Sequence, residues 1–147
     1  MVLSAYLLLG GCATTSPTGE KVAATVTIEG ASLEQIRTAA FDVFQQQAFL
    51  IRTAHGRDLV FERQGSKLAG LAYGSWMNHN VWMRLRLRIE EIKPGTNVLA
   101  LKTFRVEDHG DPVLEEEREV SGSGKKVCRD LLAQVVAKVK AQPPVKD

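Results

Sequence analysis

At 147 residues the chain has room for one domain, and its composition, 44% hydrophobic and 24% charged, is that of a globular protein able to bury a core. A net charge of +2 with no basic block argues against nucleic-acid binding, and no run reaches the roughly 18 apolar residues of a membrane-spanning helix. The two cysteines, Cys12 and Cys128, sit in such different contexts that no disulfide between them is expected.

The chain opens Met1-Val2-Leu3-Ser4-Ala5-Tyr6-Leu7-Leu8-Leu9-Gly10-Gly11-Cys12. A short apolar run thus ends in two small residues directly before a cysteine. The run Leu9-Gly10-Gly11-Cys12 resembles the lipobox of bacterial lipoproteins, with Cys12 as the acceptor. The resemblance covers only the first dozen residues. It implies that residues 1–11 are a signal peptide, that the Cys12 thiol carries a diacylglycerol, and that the new amine is acylated. Two or more fatty chains suffice for stable anchoring, at about 0.8 kcal/mol per buried methylene. In that family an Asp after the cysteine commonly retains the protein at the inner membrane. Ala13 stands there instead, so the periplasmic leaflet of the outer membrane is the implied location. Secretory signals normally begin with Lys or Arg, and none precedes Glu20, so the true start is expected upstream. The alternative is a buried amino-terminal strand with an ordinary cysteine.

Residues 12–21, small, polar and broken by Pro17 and Gly19, read as a flexible tether of at most about 30 Å. A single domain is expected over residues 22–141, with a polar tail at 142–147. Val22 to Glu29 is β-branched and reads as a strand ending at Gly30. Ser32 and Gln35 form a capping box. A helical stripe of Leu33, Ile36, Ala40, Val43 and Phe44 follows to about Gln47. Phe49, Leu50 and Ile51 begin a second strand. Gly56 supplies the positive φ of a hairpin that leads into Asp58–Arg63, with His55 as a turn residue.

From Gln64 to Asn80 the pattern breaks, with Gly65, Gly70 and Gly74 spaced through it. Tyr73, Trp76 and His79 crowd its second half. Long connections in small domains are uncommon and often functional, so these three are candidate binding residues. Packing of Leu68, Leu71 and Tyr73 over the sheet end is the plainer alternative.

The run Val81 to Glu90 is the most legible in the chain. Met83, Leu85, Leu87 and Ile89 alternate with Trp82, Arg84, Arg86, Arg88 and Glu90. Only an extended strand sorts them into one oily and one cationic face. Trp82, Arg84, Arg86 and Arg88 are therefore further binding candidates, since aromatic and arginine side chains anchor interfaces. A solvated strand face is the alternative.

Pro94-Gly95 suits a turn into the strand Asn97–Val106. A two-residue loop there sets Phe104 opposite Leu85 and Val106 opposite Met83, but leaves Leu99 and Leu101 on the arginine face. A one-residue slip restores the leucines and sets Lys102 against Arg88; a bulge would reconcile the two.

After the polar turn Glu107–Pro112, Val113–Val120 reads as a last strand with Glu115, Glu117 and Glu119 on one face. Carboxylates spread over about 13 Å along a strand do not close on one ion, so charge balance against the arginine row is the expected role. The stripe Cys128, Leu131, Leu132, Val135, Val136 and Val139 defines a final helix over Lys125–Ala141, with Cys128 in the core.

The expected fold class is α+β. A curved antiparallel sheet of about six strands carries two helices on one face, as a two-layer sandwich. This order loosely resembles helix-grip and related folds, including small domains of lipoprotein subunits of the outer-membrane protein assembly machine. The resemblance rests on element order alone and carries no functional residue.

The function expected first is non-enzymatic. A lipoprotein held to the membrane through Cys12, without cofactor, metal or nucleic acid, binds another envelope protein or envelope component. A carrier of a small apolar ligand comes second, with its pocket between helix and sheet near Phe41, Phe44, Phe61 and Leu85. An enzyme using His79 or His109 with Glu or Cys128 comes third.

Overall fold

The computed structural model describes residues 15–65, 81–120 and 124–143. Cys12, Tyr73, Trp76 and His79 lie outside them. The elements follow in the order β1 (Ala24–Glu29), α1 (Leu33–Gln46), β2 (Leu50–His55), β3 (Asp58–Gln64), β4 (Trp82–Lys93), β5 (Thr96–Glu107), β6 (Glu116–Glu119) and α2 (Lys125–Ala141). The strands form one antiparallel sheet in the order β1-β5-β4-β3-β2, and β6 also pairs with β5. Together with the two helices this is the α+β sandwich expected.

Local chemistry accounts for the elements. Ser32 Oγ accepts from Gln35 N at 3.1 Å, and Gln35 Oε1 accepts from Ser32 N at 2.9 Å, closing the capping box that starts α1. Gly56 takes φ +55° between β2 and β3, the left-handed conformation a tight hairpin requires. The apolar stripes of both helices and the odd-numbered side of β4 share one core. Ile36 and Phe44 of α1, Cys128 and Leu132 of α2, and Leu85 and Ile89 of β4 are all within 1% of complete burial. Each large aliphatic or aromatic side chain so buried contributes about 1.5–3 kcal/mol. Among the described residues the opposite face of the sheet carries no helix.

The β4–β5 register differs from the two-residue loop. Leu87 pairs with Leu101 and Ile89 with Leu99, and a bulge between Glu91 and Lys93 takes up the offset. The leucines thereby reach the core, where both are fully buried. Lys102 consequently faces Arg86, not Arg88, and Phe104 lies opposite Arg84 on the open face. The last strand is also shorter than expected. Asp111 accepts from the backbone of Val113 and Leu114, which holds both in a turn with their side chains exposed, and pairing begins only at Glu116.

Candidate functional site

The open face of the sheet is built from β4 outward. Arg84, Arg86 and Arg88 point away from the helices because they alternate with the buried residues. The β3 pairing sets Glu62 opposite Arg84 and Asp58 opposite Arg88. A bulge in β2 between Ile51 and Thr53 brings Arg52 onto the same face, where its Nη1 donates to Glu62 Oε1 at 2.7 Å.

The turn between β5 and β6 then folds over one end of this face. Gly110, at φ +84°, lets the chain reverse, and its backbone N donates to Glu115 Oε2 at 2.8 Å. The His109 ring stacks on Trp82, with centroids 4.0 Å apart and planes 13° from parallel. His109 Nε2 lies 2.6 Å from Glu62 Oε2.

Arg84 is the centre of the cluster. Its Nε donates to Glu62 at 2.7 Å, its Nη2 to Glu115 at 2.8 Å and its Nη1 to Glu117. Three carboxylates therefore hold the guanidinium of one arginine that is 5% exposed as a residue. Arg86 Nη2 donates to Glu117 Oε2 at 2.9 Å, and its guanidinium lies 4.6 Å from the Phe104 ring centroid. The expected charge balance between the carboxylates of residues 115–119 and the arginine row is present for Glu115 and Glu117.

These contacts fix the protonation states. Burial pushes the Glu62 carboxyl up, but hydrogen bonds from His109, Arg84 and Arg52 outweigh it and leave it below the usual carboxylate range. The Gly110 backbone N–H, followed by Arg84, holds Glu115 at about 2. Burial pushes the Arg84 guanidinium down, but the hydrogen bonds it donates to Glu115, Glu62 and Glu117 outweigh this and raise it. Glu62 and Glu115 are thus held ionised, which suits neither to donate a proton near neutrality.

The other candidates separate clearly. Arg84 is enclosed by carboxylates and does not present its charge at the surface. Trp82 is partly buried under His109. Arg86 and Arg88, with side chains 51% and 61% exposed, remain at the surface. Cys128 is completely buried on the far side of the sheet, in hydrogen-bond contact with Thr103 Oγ1 at 3.1 Å. Burial pushes its thiol up, away from a nucleophilic thiolate. Among the described residues no three His, Cys, Asp or Glu side chains converge as metal ligands would.

Arg52 and Glu62 are not marked by the sequence as members of the cluster, whereas His109 stands beside the Glu115–Glu119 carboxylates in the chain itself. One signal for Glu62 was present. Asp58 and Glu62 are spaced as Arg88 and Arg84 are, and antiparallel pairing matches them in reverse order. The bulge that delivers Arg52 has no counterpart in the sequence pattern.

Beside the cluster the open face forms a concavity of about 560 Å³, bordered by Val60, Arg86, Arg88, Lys102 and Phe104, with Ser16 and Glu20 at its rim.

No protein-family model matches the chain, and no curated protein matches it. Among solved structures the chain is similar to the adenylate sensor from AMP-activated protein kinase in complex with 5-aminoimidazole-4-carboxamide ribofuranotide, at 16% identity and a TM-score of 0.46. That match covers 80% of this chain and 95% of the other. The same sensor complexed with ATP is 17% identical, with 78% and 93% covered and a TM-score of 0.48. Likeness of this degree carries no argument about ligand or activity.

Proposed function

We propose that the chain is a non-enzymatic bacterial lipoprotein, anchored through acyl chains on Cys12 and binding a component of the cell envelope on the open face of its sheet. The observation that carries the reading is the run Leu9-Gly10-Gly11-Cys12, a lipidation acceptor standing ahead of the domain. The absence of Asp after Cys12 favours the periplasmic leaflet of the outer membrane.

Two features support binding over catalysis. Arg84 and the carboxylates around it neutralise one another, and the Cys128 thiol of the enzyme reading is sealed in the core. The carrier reading loses support because, among the described residues, aromatic side chains occupy the position expected for its pocket. The Phe44 and Phe61 rings stack with centroids 4.2 Å apart, and both are completely buried.

Fractionation of bacteria expressing wild type and Cys12→Ser tests the anchor. Wild type is expected in the membrane fraction and the variant in the soluble fraction. Identical soluble behaviour of both contradicts the reading.

A further inference from the structure

The segment read as a loose tether is fastened down from Thr15 onward. Thr15 bridges to Lys21, Ser16 N donates to the Glu20 carbonyl at 2.9 Å, and Gly19 N donates to the Ser16 carbonyl at 2.9 Å. Glu20 meets Lys102 Nζ at 3.1 Å, and Ser16 is 7% exposed. Lys102 projects from the open face, so this turn sits on the side of the sheet away from the helices. Only two residues lie between Thr15 and Cys12, a span of at most about 11 Å. An anchor on Cys12 therefore holds the rim of the concavity close to the lipid surface and leaves the helix layer behind it.

From this placement we propose that the open sheet face is the membrane-facing side of the protein, with Arg86 and Arg88 seated against the phosphates of phospholipid headgroups. The inference rests on the lipoprotein reading and names the envelope component as the membrane that carries the anchor.

The layering of charge on this face fits that occupant. The side chains of Glu62, Glu90, Glu115 and Glu117 are 7–20% exposed, whereas those of Arg86 and Arg88 are 51% and 61% exposed. A guanidinium carries five N–H donors. Arg86 uses Nη2 on Glu117, and Arg88 meets Glu90 at 3.3 Å and Asp58 at 4.0 Å through Nε. Donors therefore remain for the bidentate geometry that phosphate accepts. Asp58 and Glu20, 62% and 61% exposed, stand beside them as partners for the ammonium of an ethanolamine headgroup.

The test uses the full-length acylated protein in vesicles of phosphatidylethanolamine with phosphatidylglycerol. A fluorophore is attached to Asp58→Cys on the open face or to Asp130→Cys on α2, both exposed positions, while buried Cys128 does not compete for label. With a nitroxide quencher on the headgroups, the Asp58 label is expected to be quenched and the Asp130 label to stay bright. Equal quenching, or stronger quenching on α2, overturns the orientation. Arg86→Gln combined with Arg88→Gln is expected to reduce quenching at position 58, and undiminished quenching overturns the arginine contact. Mass spectrometry of the same preparation separates the two readings. An unmodified Cys12 removes both, whereas acylated Cys12 with a bright Asp58 label removes only this one.

Discussion

Arg84 and Glu62 face each other across neighbouring strands, 2.7 Å apart from Nε to Oε1, with side chains only 6% and 7% exposed. Desolvating each charge costs several kcal/mol, which is offset only when partners and hydrogen bonds are complete. In this cluster they are nearly so: Arg52 and His109 complete Glu62, and Glu115 and Glu117 complete Arg84. The pair therefore fixes how the β5–β6 turn lies on the sheet, which in turn leaves the concavity beside it open.

Removing the central cation should be the most costly change on this face. Arg84→Met leaves Glu62, Glu115 and Glu117 without their common partner and is expected to destabilise by about 3–5 kcal/mol. Arg88→Gln, at a position 61% exposed, is expected to change stability by less than about 1 kcal/mol. Urea denaturation measures both, and a cost at Arg88 equal to that at Arg84 contradicts the assignment.

Acid should loosen the same cluster. Glu62 and Glu115 have folded-state pKa values below the ordinary 4.5, so their contribution is complete above about pH 4.5 and is lost as pH falls through the folded values, about 2 for Glu115. Thermal melts across that window are expected to fall steadily for wild type and less steeply for Glu62→Gln with Glu115→Gln. Parallel profiles would mean that other groups set the acid sensitivity.

The thiol of Cys128 should be inert in the native protein. Iodoacetamide is expected to modify it only after denaturant opens the contact between α2 and the sheet. Native alkylation as fast as in denaturant contradicts its place in the core.

Truncating the interlayer stack should open a void in the core. Phe44→Ala is expected to cost about 3–5 kcal/mol. Phe104→Ala, half-buried on the open face under Arg86, is expected to cost about 1 kcal/mol or less beyond its lost packing. Equal costs contradict the difference in burial.

The fold was legible where one physical rule acts over several residues. Alternation gave β4, the Ser32–Gln35 box gave the start of α1, and the stripe from Cys128 to Val139 gave α2. It was less legible where a single residue shifts register, because bulges at Arg52 and near Ile92 leave no periodic trace. The candidate site was half legible for a related reason. Alternation puts Arg84, Arg86 and Arg88 on one face, but burial of Arg84 depends on a turn folding back from β5. That contact is non-local, and neither Glu115 nor His109 signals it alone. The tether reading likewise followed composition, while Thr15–Lys21 is held by Lys102, far along the chain.

The proposed lipid on Cys12 is what would hold this domain at a membrane. The most direct measurement is the mass of the amino-terminal peptide of protein purified from bacterial membranes. The expected peptide begins at Cys12 and bears a thioether-linked diacylglycerol and an amide-linked acyl chain. A peptide that retains residues 1–11 and a free Cys12 thiol, recovered from the soluble fraction, would contradict it.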